Sequence, residues 1–376
     1  MFARSHWEAV HSGARHNRLK RLSSKGTIEG MKIKRWHVWL GFLVSAIFLW
    51  LAFRKVDFAL VWEQLKTANL VYVAAGIGAY FVALFVRTWR WRVLLMPMKS
   101  VSVLRLFPVI SAGFMANNIY PARAGDLLRT VLLRKKEDVP ISASLATIIV
   151  EHLFDGIAIL ALVLLNLGQL SNFAPNSQWV GIIETSAFWV GLIFGLILLV
   201  FIAMVFLPKQ MQGVTNWVTN HLVPKKLRQG LGGIIKKFID GLRVLKSPLQ
   251  SLLVMFQSVL IWVIETGLYW GVMKAMGLNL NFQSLLMVVG IVNLVLLVPA
   301  APGGLGTFDA ATKSMMELFG VSPENALSYA LLLRVALWLP VTLVGAFFFV
   351  KEGFGLTTDL KSIQEEYKDE EAFSAD

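Results

Sequence analysis

The sequence predicts an all-α polytopic membrane protein with two inverted repeats, about six full transmembrane helices and two broken or re-entrant helical hairpins. Composition is the first reason, because 56% of the 376 residues are hydrophobic, only 16% are charged and the mean hydropathy is +0.63. The second reason is a set of long apolar stretches. The third is that two pairs of charged residues, one in each half of the chain, have the same spacing. The chain has no cysteine, which excludes disulfides and thiolate metal sites.

Six apolar stretches are long enough to cross roughly 30 Å of hydrocarbon, so each predicts a full span. They run at about 36–53, 69–86, 142–168, 179–207, 251–273 and 326–350. Two more, about 103–120 and 284–300, each run into a break rich in Pro and Gly. The breaks read NNIYPARAGD at 117–126 and PAAPGGLG at 299–306. Such breaks are typical of discontinuous helices that line protein or a cavity within a membrane.

The basic residues predict the orientation. Of the 36 Lys and Arg, 30 lie in five segments that flank apolar stretches, namely 1–35, 87–105, 123–138, 208–250 and 351–376. Positive loops stay in the cytoplasm, so both termini are expected there if each broken stretch enters and leaves on one side. This distribution also explains the formal charge of +13 without a nucleic-acid partner.

The two halves of the chain carry a similar pattern. Asp126 precedes Glu151 by 25 residues, and Asp309 precedes Arg334 by 25 residues. We therefore expect a first half-repeat at 36–168 and a second at 179–350, an arrangement used by transporters. The alternative is a set of kinked spans that share only apolar composition. The remaining segments are a basic tail 1–35 without a predicted fold, an outside loop 169–178, a basic cytoplasmic segment 208–250 within the second half, and an acidic cytoplasmic tail 351–376.

Charged residues within the spans predict an intramembrane network. A charge in a span is costly and normally faces a partner. Glu151 and Asp155 lie i, i+4 on one helix face, so a cation or proton must separate them, and Arg334 is the predicted partner of Glu151. Such a pair could equally serve helix packing alone. Glu265 fits either the network or a satisfied polar group, and His152 fits either a proton relay or a packing residue.

The two breaks predict the substrate site. Free backbone N–H groups and the guanidinium groups of Arg123 and Arg129 suit a phosphate, and the later glycines suit a backbone nest for an anion. No catalytic residue, cofactor or metal site is expected, since ATP-binding, nucleotide-sugar and zinc-protease motifs are missing from the sequence. The candidate substrate-binding residues are Asn117, Asn118, Arg123, Gly125, Asp126, Arg129, Gly303, Gly304, Gly306 and Asp309.

These motifs resemble the flippase-like transmembrane domain of the lysylphosphatidylglycerol synthases. The resemblance rests on the run 117–129, the Glu151/Asp155 helix, the run PGGLGTFD at 302–309 and Arg334, and it covers roughly 36–352. It implies movement of a lipid between leaflets. Asp126 and Asp309 depart from the family pattern, where Glu is expected. Only 24 residues follow the membrane part, so a stand-alone member without the soluble aminoacyl-transferase domain is expected.

The leading functional hypothesis is an ATP-independent translocase in a bacterial-type inner membrane. Its partner would be an anionic phospholipid or a polyprenyl-phosphate lipid, and a homo-oligomer is left open. The first alternative is a membrane-embedded transferase that uses a polyprenyl-phosphate or phospholipid donor. The second is a proton-coupled transporter of small solutes.

Overall fold

A computed structural model of the chain describes residues 58–120, 123–168, 178–207, 213, 242–297 and 301–352. These residues form ten α-helices and two short 3₁₀ turns, with no strand among them, which confirms the predicted all-α class. The helices are α1 Phe58–Lys66, α2 Leu70–Leu95, α3 Val103–Ile119, α4 Ala124–Glu137, α5 Ile141–Leu165, α6 Gln178–Phe206, α7 Pro248–Ala275, α8 Phe282–Val295, α9 Thr307–Leu318 and α10 Pro323–Lys351.

Five of these helices are long and apolar enough to span a membrane: α2, α5, α6, α7 and α10. They correspond to five of the six predicted spans. The predicted span 36–53 lies outside the described residues, as do the tail 1–35, most of the loop 169–178, most of the segment 208–250 and most of the tail 351–376. The chain is therefore an integral membrane protein with several apolar helices.

Side-chain caps start several of the helices. A short polar side chain before the first turn accepts a hydrogen bond from a backbone N–H group that has no partner within the helix. Asn69 caps α2 through Val71, Ser247 caps α7 through Gln250, Asn281 caps α8 through Ser284, and Ser322 caps α10 through Asn325. These polar residues mark the points where connecting segments become apolar helices.

Both broken stretches fold as two helices joined by a break. The first consists of α3 and α4 and the second of α8 and α9, with a 3₁₀ turn, Pro302–Gly304, within the second break. Here α3 packs against α10, and α8 packs against α5, so the first helix of each pair contacts the last span of the other predicted half. This exchange is the packing expected of an inverted repeat, which itself remains a prediction.

The spans α2 and α7 pack along each other over much of their length. Glycines allow the close approach, because a Cβ on Gly271 would lie 2.6 Å from the carbonyl oxygen of Tyr72.

The sequence predicts that the span in α2 ends near residue 86 and that residues 87–105 form a cytoplasmic loop. That boundary is wrong: α2 continues to Leu95, and Arg87 and Arg90 are buried within it.

Candidate functional site

Six charged side chains meet between α2, α4, α5 and α7. Each residue is 8% exposed or less, and the three arginines balance the three carboxylates. Burial of an unpaired charge in a low-dielectric interior is costly, so charges at this depth must pair. The cluster consists of Arg87, Arg90, Arg129, Glu151, Asp155 and Glu265, and we call it the buried charge cluster.

Arg90 lies at the centre of this cluster. Its Nη1 donates to Asp155 Oδ1 at 2.5 Å and its Nη2 to Asp155 Oδ2 at 2.9 Å, while Nη2 also donates to Glu151 Oε1 at 2.8 Å. A planar guanidinium suits this forked contact better than an ammonium group. The sequence predicted that a cation or proton must separate the two carboxylates, and the cation is Arg90.

Arg129 completes the contacts of Glu151. Its Nη2 donates to Glu151 Oε2 at 2.9 Å, and its guanidinium lies 4.3 Å from the centre of the Trp91 ring. Only 2% of Arg129 is exposed. Arg129 was predicted to bind a phosphate, but in this structure it is a buried partner of Glu151.

Glu265 also has a partner that the sequence did not suggest. Arg87 Nη2 donates to Glu265 Oε2 at 2.5 Å, and Arg87 Nη1 lies 3.7 Å from Asp155 Oδ2. Arg87 and Arg90 were missed because they were counted as loop charges. Their spacing of three residues places them on one helix face, and three acids within later spans required cations.

The predicted Glu151–Arg334 pair is wrong. Arg334 instead binds Asp309, with Nε to Oδ1 at 2.6 Å and Nη2 to Oδ2 at 2.8 Å. Both charges are satisfied within their own predicted half: Arg129 joins α4 to Glu151 on α5, and Asp309 joins α9 to Arg334 on α10. A contact between Glu151 and Arg334 is therefore not needed to neutralise either charge.

In the second break, backbone carbonyl oxygens bind the guanidinium group of Arg334. The carbonyl oxygens of Gly303 and Gly304 each accept a hydrogen bond from Arg334 at 3.1 Å, and the N–H of Gly306 donates to Asp309 Oδ2 at 3.0 Å. These three glycines have φ values between 62° and 80°, which other residues rarely adopt. The predicted nest of N–H groups for an anion is thus replaced here by carbonyl oxygens that face Arg334.

Asn117 connects the two helices of the first break, α3 and α4, through hydrogen bonds. Its Oδ1 accepts from the N–H of Gly125 at 2.8 Å, and its Nδ2 donates to Asp126 Oδ1 at 3.2 Å. Gly125 is required at this point, because a Cβ would overlap the carbonyl oxygen of Gly113. Asp126 Oδ2 also lies 3.0 Å from His152 Nε2 on α5. The predicted residues Asn117, Gly125 and Asp126 are thus brought together.

The two breaks meet at one face of α10. Asn118 Nδ2 donates to Thr342 Oγ1 at 2.9 Å, and Trp338 Nε1 donates to the carbonyl oxygen of Asn118 at 3.4 Å. Gly303 approaches the same indole, since a Cβ there would lie 3.1 Å from Trp338 Nε1. Trp338 therefore contacts both broken hairpins, a role that no sequence pattern indicated.

A cavity of about 240 Å³ lies beside the buried charge cluster, between α5, α6, α7 and α8. Its polar lining includes Arg123, which is exposed and whose side chain, within the described part of the chain, has no ion pair or hydrogen bond. Asp155 lines the cavity too, but it is already bound by Arg90. The other lining residues are His152, Trp262, Asn293, Gly156, Ile149, Leu153, Ile159, Phe194, Ile197, Leu294 and Leu297.

The model of the family described as "Lysylphosphatidylglycerol synthase TM region" matches residues 38–345. The chain belongs to this family. The match confirms the resemblance inferred from the sequence motifs, and it includes all five candidate spans almost completely. Membership also agrees with the all-α membrane fold described above.

Several curated relatives of this lysylphosphatidylglycerol synthase family chain are named UPF0104 membrane proteins. One UPF0104 membrane protein of Methanothermobacter thermautotrophicus is 22% identical over 74% of this chain and 84% of its own length. Another from the same organism is 25% identical over 81% of this chain and 89% of its own length. The protein named Glycosyltransferase AglD of Haloferax volcanii is 25% identical over 81% of this chain, but the match covers only 52% of that relative.

Proposed function

We propose that this membrane protein is an ATP-independent translocase for an anionic lipid or a lipid-linked anionic headgroup. The observation that carries the proposal is the cavity in which Arg123 lacks a partner among the described residues while the charge cluster beside it is balanced. A phosphate would satisfy Arg123 by a charge-assisted hydrogen bond. The exposed side chain of Arg123 is therefore available to bind an anion, whereas the arginines of the cluster are already paired with carboxylates.

The lining of the cavity supports a lipid rather than a small polar solute. Seven lining residues have large apolar side chains, and a chain of apolar CH₂ groups gains from contact with such a surface. The polar lining includes Arg123, His152 and Asn293. We infer that the headgroup enters the cavity, whereas the longer hydrocarbon chains stay in the bilayer. A proton-coupled transporter of small solutes would not need this apolar wall.

Alternating access would use the two broken hairpins. Each hairpin is joined to the following span by an ion pair, Arg129–Glu151 in the first and Asp309–Arg334 in the second. Trp338 contacts both breaks, so a movement of one hairpin would change the contacts of the other. A ligand can drive such a switch only if its contacts differ between the two states. Under this proposal both termini face the cytoplasm of a bacterial-type inner membrane.

A membrane-embedded transferase is the second candidate, because one relative is named a glycosyltransferase. Such an enzyme would need a carboxylate free to act as a general base. Asp155 lines the cavity and Glu151 lies one turn before it on α5, and all four of their carboxylate oxygens accept hydrogen bonds from Arg90 or Arg129. This pairing favours the translocase.

Leaflet-resolved transport in proteoliposomes distinguishes these functions. Headgroup-labelled phosphatidylglycerol, phosphatidylcholine and a polyprenyl phosphate are each presented to the wild-type protein without nucleotide. The translocase moves at least one anionic lipid with its headgroup chemically unchanged. No movement, together with a new covalent lipid product, would support the transferase. No movement and no product with any of these lipids would contradict both proposals.

A further inference from the structure

His152 connects the cavity to the first broken hairpin. Its ring lines the cavity, and 40% of its side chain is exposed. Its Nε2 lies 3.0 Å from Asp126 Oδ2, Asp126 in turn bonds Asn117, and Asn117 accepts from the N–H of Gly125. One hydrogen-bonded chain therefore runs from the cavity to the point where the hairpin breaks.

The charged groups around His152 come from four elements. The helix α4 contributes Asp126 and Arg129, α5 contributes Glu151 and Asp155, α2 contributes Arg90, and the break contributes Arg123. The buried charge cluster is balanced by its own pairs. Only Arg123, Asp126 and His152 are left to set the charge of the site.

The charge of this remaining group depends on the imidazole. Arg123 and Asp126 cancel, so the site is neutral when His152 is neutral and carries one positive charge when His152 is protonated. A phosphodiester headgroup carries one negative charge. It is therefore matched by the protonated form of the site and unmatched by the neutral form.

We propose that His152 is a second headgroup-binding side chain and that one proton from solvent is taken up at its Nδ1 when a phosphodiester lipid binds. This rests on the proposed translocase function and names the charge state of its substrate. With Nε2–H directed to Asp126, the new Nδ1–H donates to a phosphate oxygen, while Arg123 binds another. The only covalent change is this proton transfer: an O–H bond of a solvent hydronium ion breaks as the Nδ1–H bond forms, and the added positive charge cancels the negative charge of the headgroup.

This arrangement also supplies a contact that depends on the ligand. An imidazolium ion binds Asp126 more strongly than a neutral imidazole does, so headgroup binding tightens the contact between α5 and α4. The same contact continues through Asn117 to the break. His152 thus links occupancy of the cavity to the position of the first hairpin.

Equilibrium binding of labelled phosphatidylglycerol to the purified full chain tests this inference. The phosphodiester keeps its single charge from about pH 5 to about pH 8, while a histidine titrates there. We expect wild-type affinity to rise as the pH falls, by up to about tenfold per pH unit, because one proton is taken up with each headgroup. Zwitterionic phosphatidylcholine, which needs no added positive charge, should show no such slope.

Two variants separate proton uptake from a structural role. His152→Gln keeps hydrogen-bonding atoms but cannot gain a charge, so its affinity should be independent of pH and equal to the wild-type value at high pH. Asp126→Asn makes the site positive even with neutral His152, so binding at about pH 8 should strengthen. Arg105→Gln, whose side chain is 71% exposed, should keep the wild-type slope.

The outcomes distinguish the two proposals. Binding of phosphatidylglycerol with a flat pH profile, or a wild-type slope in His152→Gln, would overturn the role of His152 and leave the translocase intact. Absence of both binding and transport for every anionic lipid would overturn the translocase and this inference with it. His152→Asn serves as a second variant if His152→Gln is recovered unfolded.

Discussion

Arg334 and Asp309 form a bidentate ion pair, with Nε to Oδ1 at 2.6 Å and Nη2 to Oδ2 at 2.8 Å. It fixes α9, the second helix of one broken hairpin, to the span α10. In the other hairpin, Arg129 on α4 pairs with Glu151 on α5, so the acid and the base have exchanged places. Each hairpin is thus attached to the span that follows it, and this attachment has measurable consequences.

Replacement of Arg90 by Ala should destabilise the fold strongly. Glu151 and Asp155 would lose their shared cation while remaining buried, and removal of one partner from a buried pair costs about 3–5 kcal/mol. The midpoint of thermal unfolding, followed by tryptophan fluorescence in detergent, should fall well below that of wild type. Arg105→Ala is the control, because Arg105 is exposed. Equal midpoints for the two variants would contradict the central position of Arg90.

The Asp309–Arg334 pair should show direct energetic coupling. In a double-mutant cycle with Asp309→Ala and Arg334→Ala, the double variant should be more stable than the sum of the single effects predicts, by about 0.5–3 kcal/mol. The reason is that each single change leaves either the buried Asp309 or the part-buried Arg334 without its oppositely charged partner. Unfolding of the four proteins under one reversible condition gives the coupling energy. Additive effects would show that the pair adds nothing beyond its separate side chains.

The first break should not tolerate a methyl group at Gly125. A Cβ there would overlap the carbonyl oxygen of Gly113 and lie 2.7 Å from the N atom of Asn117. Gly125→Ala is expected to cost about 1–3 kcal/mol and to slow lipid transport, since α3 and α4 must separate. Gly78→Ala is the matched control on α2, where a Cβ would have no neighbour within 4 Å. Equal free energies of unfolding and equal transport rates for the two variants would show that the close packing at Gly125 is not important.

A covalent link between the first break and α10 should stop transport. Asn118 Nδ2 lies 2.9 Å from Thr342 Oγ1, and the natural chain has no cysteine, so Asn118→Cys and Thr342→Cys can be combined without background thiols. Transport by the double variant should fall under oxidising conditions and return after reduction. Each single variant, oxidised in the same way, is the control. Full transport by the cross-linked protein would show that the two elements do not move apart.

The positions of most helices in this fold could be predicted from the sequence, because the length of an apolar stretch depends only on consecutive residues. Five of the predicted spans and both broken stretches correspond to described helices, although α2 extends past its predicted end to Leu95. The sequence also indicated that Glu151 and Asp155 need a cation between them. These inferences depend only on residues within one helix or one break.

The partners of the charges could not be predicted in the same way, because they depend on how whole helices rotate and pack. Arg87 and Arg90 follow an apolar stretch directly and therefore resembled loop charges that fix topology. The structure buries them against acids more than 60 residues away in sequence. Likewise, equal spacing wrongly suggested that Glu151 and Arg334 would meet, because Arg334 pairs with Asp309 instead.

The most direct test of the account is the rate at which phosphatidylglycerol changes leaflet in proteoliposomes that contain wild type, Arg123→Ala or Arg105→Ala at equal protein density. The side chain of Arg123 lines the cavity and has no partner among the described residues, so Arg123→Ala should leave the thermal midpoint unchanged. The same variant should transport at least about tenfold more slowly, which is the effect of one lost charge-assisted contact. Arg105→Ala should transport like wild type. Equal rates for all three proteins would contradict the assignment of the cavity as the headgroup site.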